Sequence, residues 1–460
     1  MTRGQHTQDG GHAQNFVGPN PSGTRARVSE RGIFLQCKER HMNAITQAVP
    51  FPLQTVFYRG LTQSLKHVGK VIGLFVRPPE MFTGPGASLL LGDAIAGSGV
   101  KRLLIVTDAQ LAKLGLVQPL QDHLTELGVF VAVYDGVLPD PGVEQIEEGL
   151  RVLQQERCEA VLAIGGGSAM DCAKLIATRA TNPSKSVLEM AGFFKVPTAP
   201  LPIYCVPTTA GTGSEVSVGA VVSDPAQQRK LPVIDHKLVP AMAALDGQLM
   251  LGLPPAITAA TAMDALTHAV EAYISRIATP ESDRYALEAV SLIMRHLPRV
   301  MKDGRDLNSR QLMAWAAYRA GLALSRGGLG YVHGIAHNFG ALYHTPHGWA
   351  NAIVLPYVLE YSKSDCIPRL AELARASGLA SGTESDAELA DKFIQRIHTL
   401  KQECGIPAGL ADLRAEDIPQ IAAAALQEAH FTYAVPRYMD QKTCEGLVRR
   451  MLVRASSGVR

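Results

Sequence analysis

The sequence has none of the features that mark membrane, secreted or nucleic-acid-binding proteins. Its 44 Lys and Arg nearly balance 42 Asp and Glu, and a net charge of +2 gives no reason to expect nucleic acid or an anionic membrane surface as a partner. No apolar run reaches the roughly 18 residues of a membrane-spanning helix. The N-terminal segment also lacks the basic start and apolar middle of a secretory signal. We therefore expect no nucleic-acid partner and no membrane partner.

Cysteine is sparse, and its distribution bears on the compartment. The seven cysteines are an odd number, lie far apart and form no CxxC pair. This pattern indicates small buried side chains in a reducing compartment and excludes a disulfide framework. We predict a cytoplasmic protein.

The first 50 residues differ in composition from the rest of the chain. They are rich in Gly, Gln, Asn, Ser and Thr and show little hydrophobic periodicity, so we interpret residues 1–50 as a disordered tail. Met42 could be the natural translation start, which the intact mass of the natively expressed protein would decide. The remainder is long enough for two domains with sizeable cores.

Apolar runs alternate with amphipathic segments from Lys101 onward. Three of these runs are RLLIVTD, VFVAVYDGV and AVLAIGGGS, and the segments between them include LVQPLQDHLTELG and VEQIEEGLRVLQQE. Buried strands that alternate with helices are typical of a doubly wound, mainly parallel sheet. We therefore predict an α/β domain over residues 51–253.

The pattern changes near Pro254. Beyond it, segments such as AITAATAMDALTHAVEAYIS and RQLMAWAAYRAGLALS carry apolar residues at three- and four-residue intervals, the spacing of amphipathic helices. Residues 254–460 are therefore predicted to form an all-helical domain, and no internal repeat is evident.

Four of the 14 histidines lie within the segment GYVHGIAHNFGALYHTPHGWAN, at positions 333, 337, 344 and 347. Neutral imidazole is the commonest protein metal ligand. His333 and His337 are four residues apart and would share a helix face, while His347 lies in a Thr-Pro-His-Gly turn that could return it to the same site from a loop. Chance clustering on a solvated loop is the alternative.

A second group of candidate ligands lies upstream. Asp264 and His268 are four residues apart in a helical pattern, a geometry in which one helix supplies two ligands; a capping or salt-bridging role is the alternative for Asp264. Together with the later histidines, they could enclose a divalent ion and leave one position open. Nitrogen and oxygen ligands fit iron(II), zinc or another first-row metal, and spacing does not choose between them.

Three strand ends in the α/β region could bind a nucleotide, because ligands of open parallel sheets bind at the carboxyl ends of the strands. The glycines of Gly165-Gly166-Gly167-Ser168 would let a pyrophosphate approach a helix N-terminus, although a glycine turn of steric origin is the alternative and GxGxxG is absent. The loop PTTAGTGSE, residues 207–215, could wrap a phosphate or ribose. Asp108 could accept from both ribose hydroxyls, which would favour NAD over NADP, or be an ordinary loop aspartate.

Four motifs in this order resemble the iron-dependent (group III) alcohol dehydrogenases, from about Phe82 to the C-terminus. GGGSxxD matches residues 165–171, PTTxGTGSE matches 207–215, and DAxxHxxE matches 264–271; HxxAHxxG and PHGxxNAxxLP match 333–340 and 346–356. The resemblance implies a dehydroquinate synthase-like architecture, in which an α/β NAD-binding domain precedes a helical metal-binding domain and the active site lies in the cleft between them.

The resemblance also assigns residues. It implies that the metal, Fe2+ with Zn2+ as the alternative, is bound by Asp264, His268, His333 and His347, and that His337 lies near the nicotinamide without ligating the metal. His344 is left unassigned. The implied NAD-binding residues are Asp108, Gly166, Gly167, Ser168, Asp171, Thr208, Thr209, Thr212 and Lys230. The chain departs from the family at Asp140, where Asn is usual, and at Gly247, where Pro is usual.

The implied activity is reversible hydride transfer between a small primary alcohol or aldehyde and NAD(H). The implied assembly is a homodimer or larger homo-oligomer, with residues 57–88 as a candidate contact region. Three alternatives remain: a metal-free, maleylacetate reductase-like enzyme acting on an unsaturated keto acid, a dehydroquinate synthase-like lyase, and a non-enzymatic NAD- or metal-binding protein. Retention of all four ligand types favours the dehydrogenase.

Overall fold

The computed structural model of the protein describes residues 49–73, 77–224 and 229–453. The chain divides into two units, residues 1–54 and 55–460, and residues 49–54 are the described part of the first. The predicted disordered tail, apart from residues 49 and 50, and the alternative start at Met42 lie outside the described residues. Within the described ranges, no helix is long and apolar enough to cross a membrane.

The part of the chain that precedes Pro254 alternates strands with helices. The strands are β1 Glu80–Thr83, β2 Arg102–Val106, β3 Phe130–Tyr134, β4 Ala160–Gly165, β5 Gly192–Phe193, β6 Ile203–Pro207, β7 Gly219–Asp224, β8 Arg229–Ile234 and β9 Met242–Leu245. The helices are α1 Phe51–Gly73, α2 Ala87–Gly97, α3 Ala109–Lys113, α4 Gln118–Glu126, α5 Val143–Gln155, α6 Gly167–Thr181 and α7 Val187–Met190.

Six of these strands form one parallel sheet in the order β1-β9-β6-β4-β2-β3. Successive side chains of a strand point to opposite faces, and both faces are buried here. Leu103 and Ile105 of β2 join a core with α2 and α4, whereas Leu104 and Val106 join a second core with α5 and α6. Covering both faces with helices explains the continuous apolar runs, and the predicted α/β sheet is confirmed.

The sequence-based prediction did not include a second, three-stranded sheet in the order β5-β8-β7. Strand β8 pairs with β7 in antiparallel register, with Lys230 opposite Ser223, and with β5 in parallel register. Its sequence, RKLPVI, contains two cations and a proline, so it lacks the apolar run that identified the central strands. This sheet nevertheless determines the position of Lys230.

After β9 the described chain contains helices and no further strand, in agreement with the predicted helical region. Its helices are α8 Pro255–Ile274, α9 Pro280–Lys302, α10 Leu307–Gly327, α11 Tyr331–Tyr343, α12 His347–Ala376, α13 Asp386–Glu403, α14 Ile418–Thr432 and α15 Gln441–Arg449. Helix α8 begins with proline, which suits a first turn because the missing N–H has no helical partner there. Sixteen of its 20 residues are buried, so α8 is enclosed along most of its length.

Candidate metal centre

Four of the predicted ligands lie together at the meeting of three helices. Asp264 and His268 come from adjacent turns of α8, His333 comes from the first turn of α11, and His347 is the first residue of α12. One ligand atom from each lies within 4.8 Å of the other three. The turn expected around His347 ends immediately before it, so this ligand is carried by a helix and not by a loop.

The spacing of the donor atoms fits a single ion. The Asp264 Oδ1 atom lies 3.7 Å from His268 Nε2, 3.9 Å from His333 Nε2 and 3.5 Å from His347 Nε2. Tetrahedral ligands with metal–ligand bonds of about 2.1 Å lie roughly 3.4 Å apart. The observed separations are too long for good hydrogen bonds, but they are close to the edges of such a tetrahedron.

The Asn351 amide shows that the donor lone pairs converge. Its Nδ2 atom donates to Asp264 Oδ1 at 2.7 Å and lies 3.1 Å from the Nε2 atoms of both His333 and His347. An amide nitrogen has two hydrogens, so it can donate to Asp264 and to one of these imidazoles at a time, and the imidazole that accepts carries its lone pair on Nε2, which is the state that binds a metal. Among the described residues, the buried Asn351 Oδ1 and His268 Nδ1 have no hydrogen-bond partner. The donor set thus fits a divalent first-row cation.

Glu271 orients one of the ligands from behind. Its Oε2 atom lies 2.6 Å from His333 Nδ1, and its Oε1 atom accepts from the Val332 amide at 2.7 Å. Burial raises the pKa of the Glu271 carboxyl and lowers that of His333 well below its ordinary value. A single proton between Nδ1 and the carboxylate satisfies both groups and fixes the ring with Nε2 toward the site.

Burial also favours the neutral form of His347. It lowers the pKa of His347 to about 4, although the nearby Asp264 carboxylate acts in the opposite direction. A neutral imidazole at physiological pH needs no deprotonation before it binds a cation.

The close approach of α12 to α8 depends on Gly348. A Cβ atom added at this position would lie 2.1 Å from the Ala260 carbonyl oxygen. Only glycine lets the two backbones come this close, and His347 immediately precedes it. The glycine therefore positions the fourth ligand.

His337 lies beside the four donors and belongs to a separate set of contacts. Its ring centroid is 5.4 Å from that of His347, and its Nδ1 atom lies 2.8 Å from Glu428 Oε1. The Tyr433 hydroxyl in turn donates to the same carboxylate oxygen. With Nδ1–H held by Glu428, His337 has its Nε2 lone pair available. The remaining histidine of the segment, His344, is exposed and ends α11 in a left-handed conformation.

The glycine-rich turn connects β4 to the 15-residue helix α6, as expected. A Cβ atom added at Gly167 would lie 2.7 Å from Thr212 Cγ2, and one added at Gly166 would lie 3.5 Å from Thr209 Oγ1. The two predicted cofactor-binding segments are thus in contact at the N-terminus of α6. Thr208, which is buried, donates its amide to Gly165 at 3.0 Å.

The glycines of the PTTAGTGSE loop also have a packing role. A Cβ atom added at Gly213 would lie 2.6 Å from Gly321 Cα on α10, and one added at Gly211 would lie 2.6 Å from Thr261 Cβ on α8. The loop therefore touches α8, which supplies Asp264 and His268, and the neighbouring helix α10. The two glycines of the loop are therefore needed for packing against these helices, whether or not the loop also contacts a phosphate.

Two carboxylates of the predicted cofactor set have structural contacts. Asp108 caps α3, because its Oδ1 atom accepts from the amides of Gln110 and Leu111 at 3.0 Å each. Asp171 accepts from Ser214 Oγ at 2.7 Å and from the Val221 amide at 3.0 Å. Both oxygens of Asp171 are thus engaged by the protein, whereas Asp108 has one oxygen outside these cap bonds.

Lys230 approaches the same region from β8. Its ammonium forms an ion pair with Asp140, at a distance of 2.6 Å between Nζ and Oδ1. The Asp140 amide donates to Ser168 Oγ at 3.3 Å. The residue where the sequence departs from the family pattern therefore contacts two of the predicted cofactor-binding residues.

A parallel α/β sheet followed by helices that carry an Asp/His metal site is the arrangement that the sequence motifs imply, and comparison with known proteins agrees. The model of the iron-containing alcohol dehydrogenases matches residues 78–247, and the C-terminal model of the Fe-containing alcohol dehydrogenase family matches residues 258–452. The chain belongs to the iron-containing alcohol dehydrogenase family, which confirms the resemblance.

Individual relatives match over most of their length. The NAD-dependent methanol dehydrogenase of Bacillus methanolicus is 37% identical over 82% of this chain and 99% of its own. Alcohol dehydrogenase 4 of Saccharomyces cerevisiae is 39% identical over 81% of this chain and 97% of its own. Among solved structures, a 1,3-propanediol oxidoreductase superposes with a TM-score of 0.79 at 37% identity, covering 82% of this chain and 98% of that one.

The structure adds residues that sequence reasoning did not assign. Glu271 is the last residue of the DAxxHxxE motif and Asn351 lies in the PHGxxNAxxLP motif, so their positions beside the ligands in sequence were the signal that could have identified them. Glu428 and Tyr433 lie in α14 and the segment after it, about 90 residues from His337, and no local spacing connects them.

Proposed function

We propose that the protein is an NAD-dependent alcohol dehydrogenase that interconverts small primary alcohols and aldehydes. The observation that carries the proposal is the convergence of Asp264, His268, His333 and His347, with His337 beside them on the same helix as His333. Relatives named for methanol, 1,3-propanediol and lactaldehyde support the substrate class. No observation favours the reductase, lyase or non-enzymatic alternatives.

We further propose Fe2+ as the resident metal, with Zn2+ as the alternative. One carboxylate and three imidazoles suit both ions. When bound, the ion supplies Lewis-acid polarisation of the substrate oxygen, and the nicotinamide supplies the hydride acceptor. The Glu271 carboxylate, which contacts His333 through Nδ1, would orient this ligand for either ion.

NAD is proposed to bind at the N-terminus of α6. The helix offers unpaired amides and a positive dipole end to a pyrophosphate, and Gly166 and Gly167 allow a close approach. Ser168, Thr208, Thr209, Thr212 and Lys230 would complete the contacts, and Asp108 would accept from the ribose hydroxyls through its second oxygen. Asp171 would not contact NAD directly but would hold the PTTAGTGSE loop in position by accepting a hydrogen bond from Ser214.

His337 is proposed to transfer the hydroxyl proton. Because Glu428 holds the proton on Nδ1, the Nε2 atom can accept a proton during alcohol oxidation and return it during aldehyde reduction. Glu428 then stabilises the imidazolium that forms. Replacement of His337 by Ala should lower kcat and change its pH dependence; an unchanged rate across pH would contradict this role.

The decisive experiment compares metals on one preparation. The protein is purified without oxygen, stripped of metal and supplied with Fe(II), Zn(II) or neither, and NADH formation is followed with a panel of short alcohols. Metal affinity is measured in parallel by calorimetry, with Asp264→Asn as the variant that lacks one ligand charge. Activity restored by one ion supports the proposal and identifies the metal.

Absence of activity with either metal, despite measured NAD binding, would favour the related reductase or lyase.

We also propose that the protein is a cytoplasmic homodimer or larger homo-oligomer. Light scattering coupled to size-exclusion chromatography would test the assembly.

A further inference from the structure

Asp140 occupies an unusual position beside the proposed cofactor site. It lies in the turn between β3 and α5 with a φ of 56°, in the left-handed region that Asp and Asn tolerate better than other side chains. Its amide donates to Ser168 Oγ, so this turn packs against the first turn of α6. A negative charge therefore stands near the helix end that is proposed to receive the pyrophosphate.

Lys230 links this turn to the metal-binding helices. Its ammonium lies 2.6 Å from Asp140 Oδ1, and a Cβ atom added at Gly340 of α11 would lie 3.9 Å from the same nitrogen. Helix α11 also carries His333 and His337. Lys230 therefore lies between the turn that contacts the N-terminus of α6 and the helix that carries His337, where it could contact a dinucleotide that joins them.

The Asp140 turn is held in place independently of the ion pair. The Ser223 amide donates to the Pro141 carbonyl at 2.9 Å, and Gly142 forms a parallel bridge with Ser223. The Asp140 charge can therefore be removed without releasing the turn, and the position of the carboxylate is set by the backbone.

We propose that Asp140 sets the affinity for the cofactor by competing with its pyrophosphate for the Lys230 ammonium. The inference rests on the proposed NAD-dependent function. An ammonium has three donors, but a carboxylate and a phosphate on opposite sides share its charge and repel each other. Asp140 acts through Lys230, so it is a positioning residue. Its effect is to weaken cofactor binding and to speed release of NADH.

The expected size of the change in cofactor affinity follows from how exposed the two side chains are. The Asp140 side chain is 59% exposed and that of Lys230 is 26% exposed, so solvent screens much of the interaction. Exposed ion pairs contribute up to about 1 kcal/mol, which corresponds to roughly a fivefold change in an equilibrium constant. We expect Asp140→Asn to bind NAD+ and NADH about two- to fivefold more tightly.

The test is a double-substitution cycle measured by calorimetry with NAD+ and by stopped-flow release of NADH. Asp140→Asn keeps the backbone geometry and a hydrogen-bond acceptor while removing the charge. Lys230→Met should weaken binding, and Lys230→Arg should restore most of it. In the Lys230→Met background, Asp140→Asn should have little further effect. Glu126→Gln removes the same charge from α4, away from the site, and serves as the control.

Two further readouts separate electrostatics from a general structural effect. The gain in NAD+ affinity of Asp140→Asn over wild type should decrease as ionic strength is raised, because exposed charges are screened. The KM for the alcohol should be the same in Asp140→Asn and in wild type. Unchanged NAD+ affinity in Asp140→Asn, or an equal gain in the Lys230→Met background, would overturn the competition while leaving the dehydrogenase proposal intact. A wild-type protein that binds no NAD+ would overturn both.

Discussion

Gly348→Ala should disable the metal centre while leaving the rest of the molecule folded. The new Cβ atom would start 2.1 Å from the Ala260 carbonyl oxygen and cannot remain closer than about 3.0 Å, so α12 and α8 must separate locally by at least 0.9 Å. Metal–ligand distances tolerate deviations of about 0.2 Å. Because His347 is the adjacent residue, it moves out of range of an ion that Asp264 and His268 hold.

We expect Gly348→Ala to lower metal affinity by about 100-fold or more, since even disturbing a partner of a ligand costs about 10- to 100-fold. Overpacking should also lower the free energy of unfolding by about 1–3 kcal/mol. Zinc affinity is measured by competition with a chelator, and stability by urea unfolding of the metal-free protein. These two measurements separate loss of the ligand from loss of the fold.

Gly446→Ala is the matched control. Gly446 lies within α15, and a Cβ atom added there meets nothing within 4 Å. Alanine is favoured over glycine in helices by up to about 1 kcal/mol, so this variant should be as stable as wild type or more stable, with unchanged metal affinity. Wild-type zinc affinity in Gly348→Ala would refute the assignment of His347 as a ligand held in place by this helix contact.

Substitutions at three other residues test the roles of single side chains. Glu271→Gln should weaken metal binding by about 10- to 100-fold because an amide cannot hold the His333 proton as a carboxylate does; equal affinity in calorimetry would contradict this role. Lys401 is buried, its Nζ atom has no hydrogen-bond partner among the described residues, and burial lowers its pKa from 10.5 to about 8. Between pH 8 and 10.5 the unfolded chain therefore binds more protons than the folded chain, so burying the charged ammonium lowers stability below this range. Lys401→Met should raise the free energy of unfolding by about 3 kcal/mol at pH 7. Denaturant unfolding should show that this difference disappears above about pH 10.5. Asp108→Asn should keep the α3 cap but relax the preference for NAD over NADP, whereas Asp108→Ala should also lose about 1 kcal/mol of stability; unchanged NADP kinetics in both would exclude a ribose contact.

The central sheet could be predicted because its strands are buried on both faces. A run such as Ala160–Gly165 is apolar at nearly every position, and each such run marks a strand whatever its partners are. Strand β8 could not be recognised in this way because Lys230 and Pro232 interrupt its apolar residues. Helical spacing predicted that Asp264 and His268 share a face of one helix, whereas the resemblance to the family selected His333 and His347 from the histidine cluster.

Partners from distant segments could not be predicted in this way. His337 meets Glu428 across a sequence separation of 91 residues, and Lys230 meets Asp140 across the gap between two sheets. Such pairs depend on how α14 and β8 pack, and packing leaves no periodic signal in the sequence. Asp108 shows a further limit, since a carboxylate after a strand can cap a helix and contact a ribose in the same position.

The contact between Gly213 and Gly321 has a consequence for motion. Here backbone meets backbone, because an added Cβ on either residue would lie within 3 Å of the other. Side chains at a sliding interface can change rotamer, but two backbones in contact cannot yield in this way. The glycine-rich loop therefore cannot move closer to α10 at this point. A larger residue at Gly213 or Gly321 would push the loop away from α10, and Thr212, which packs against Gly167 at the N-terminus of α6, would be displaced with it.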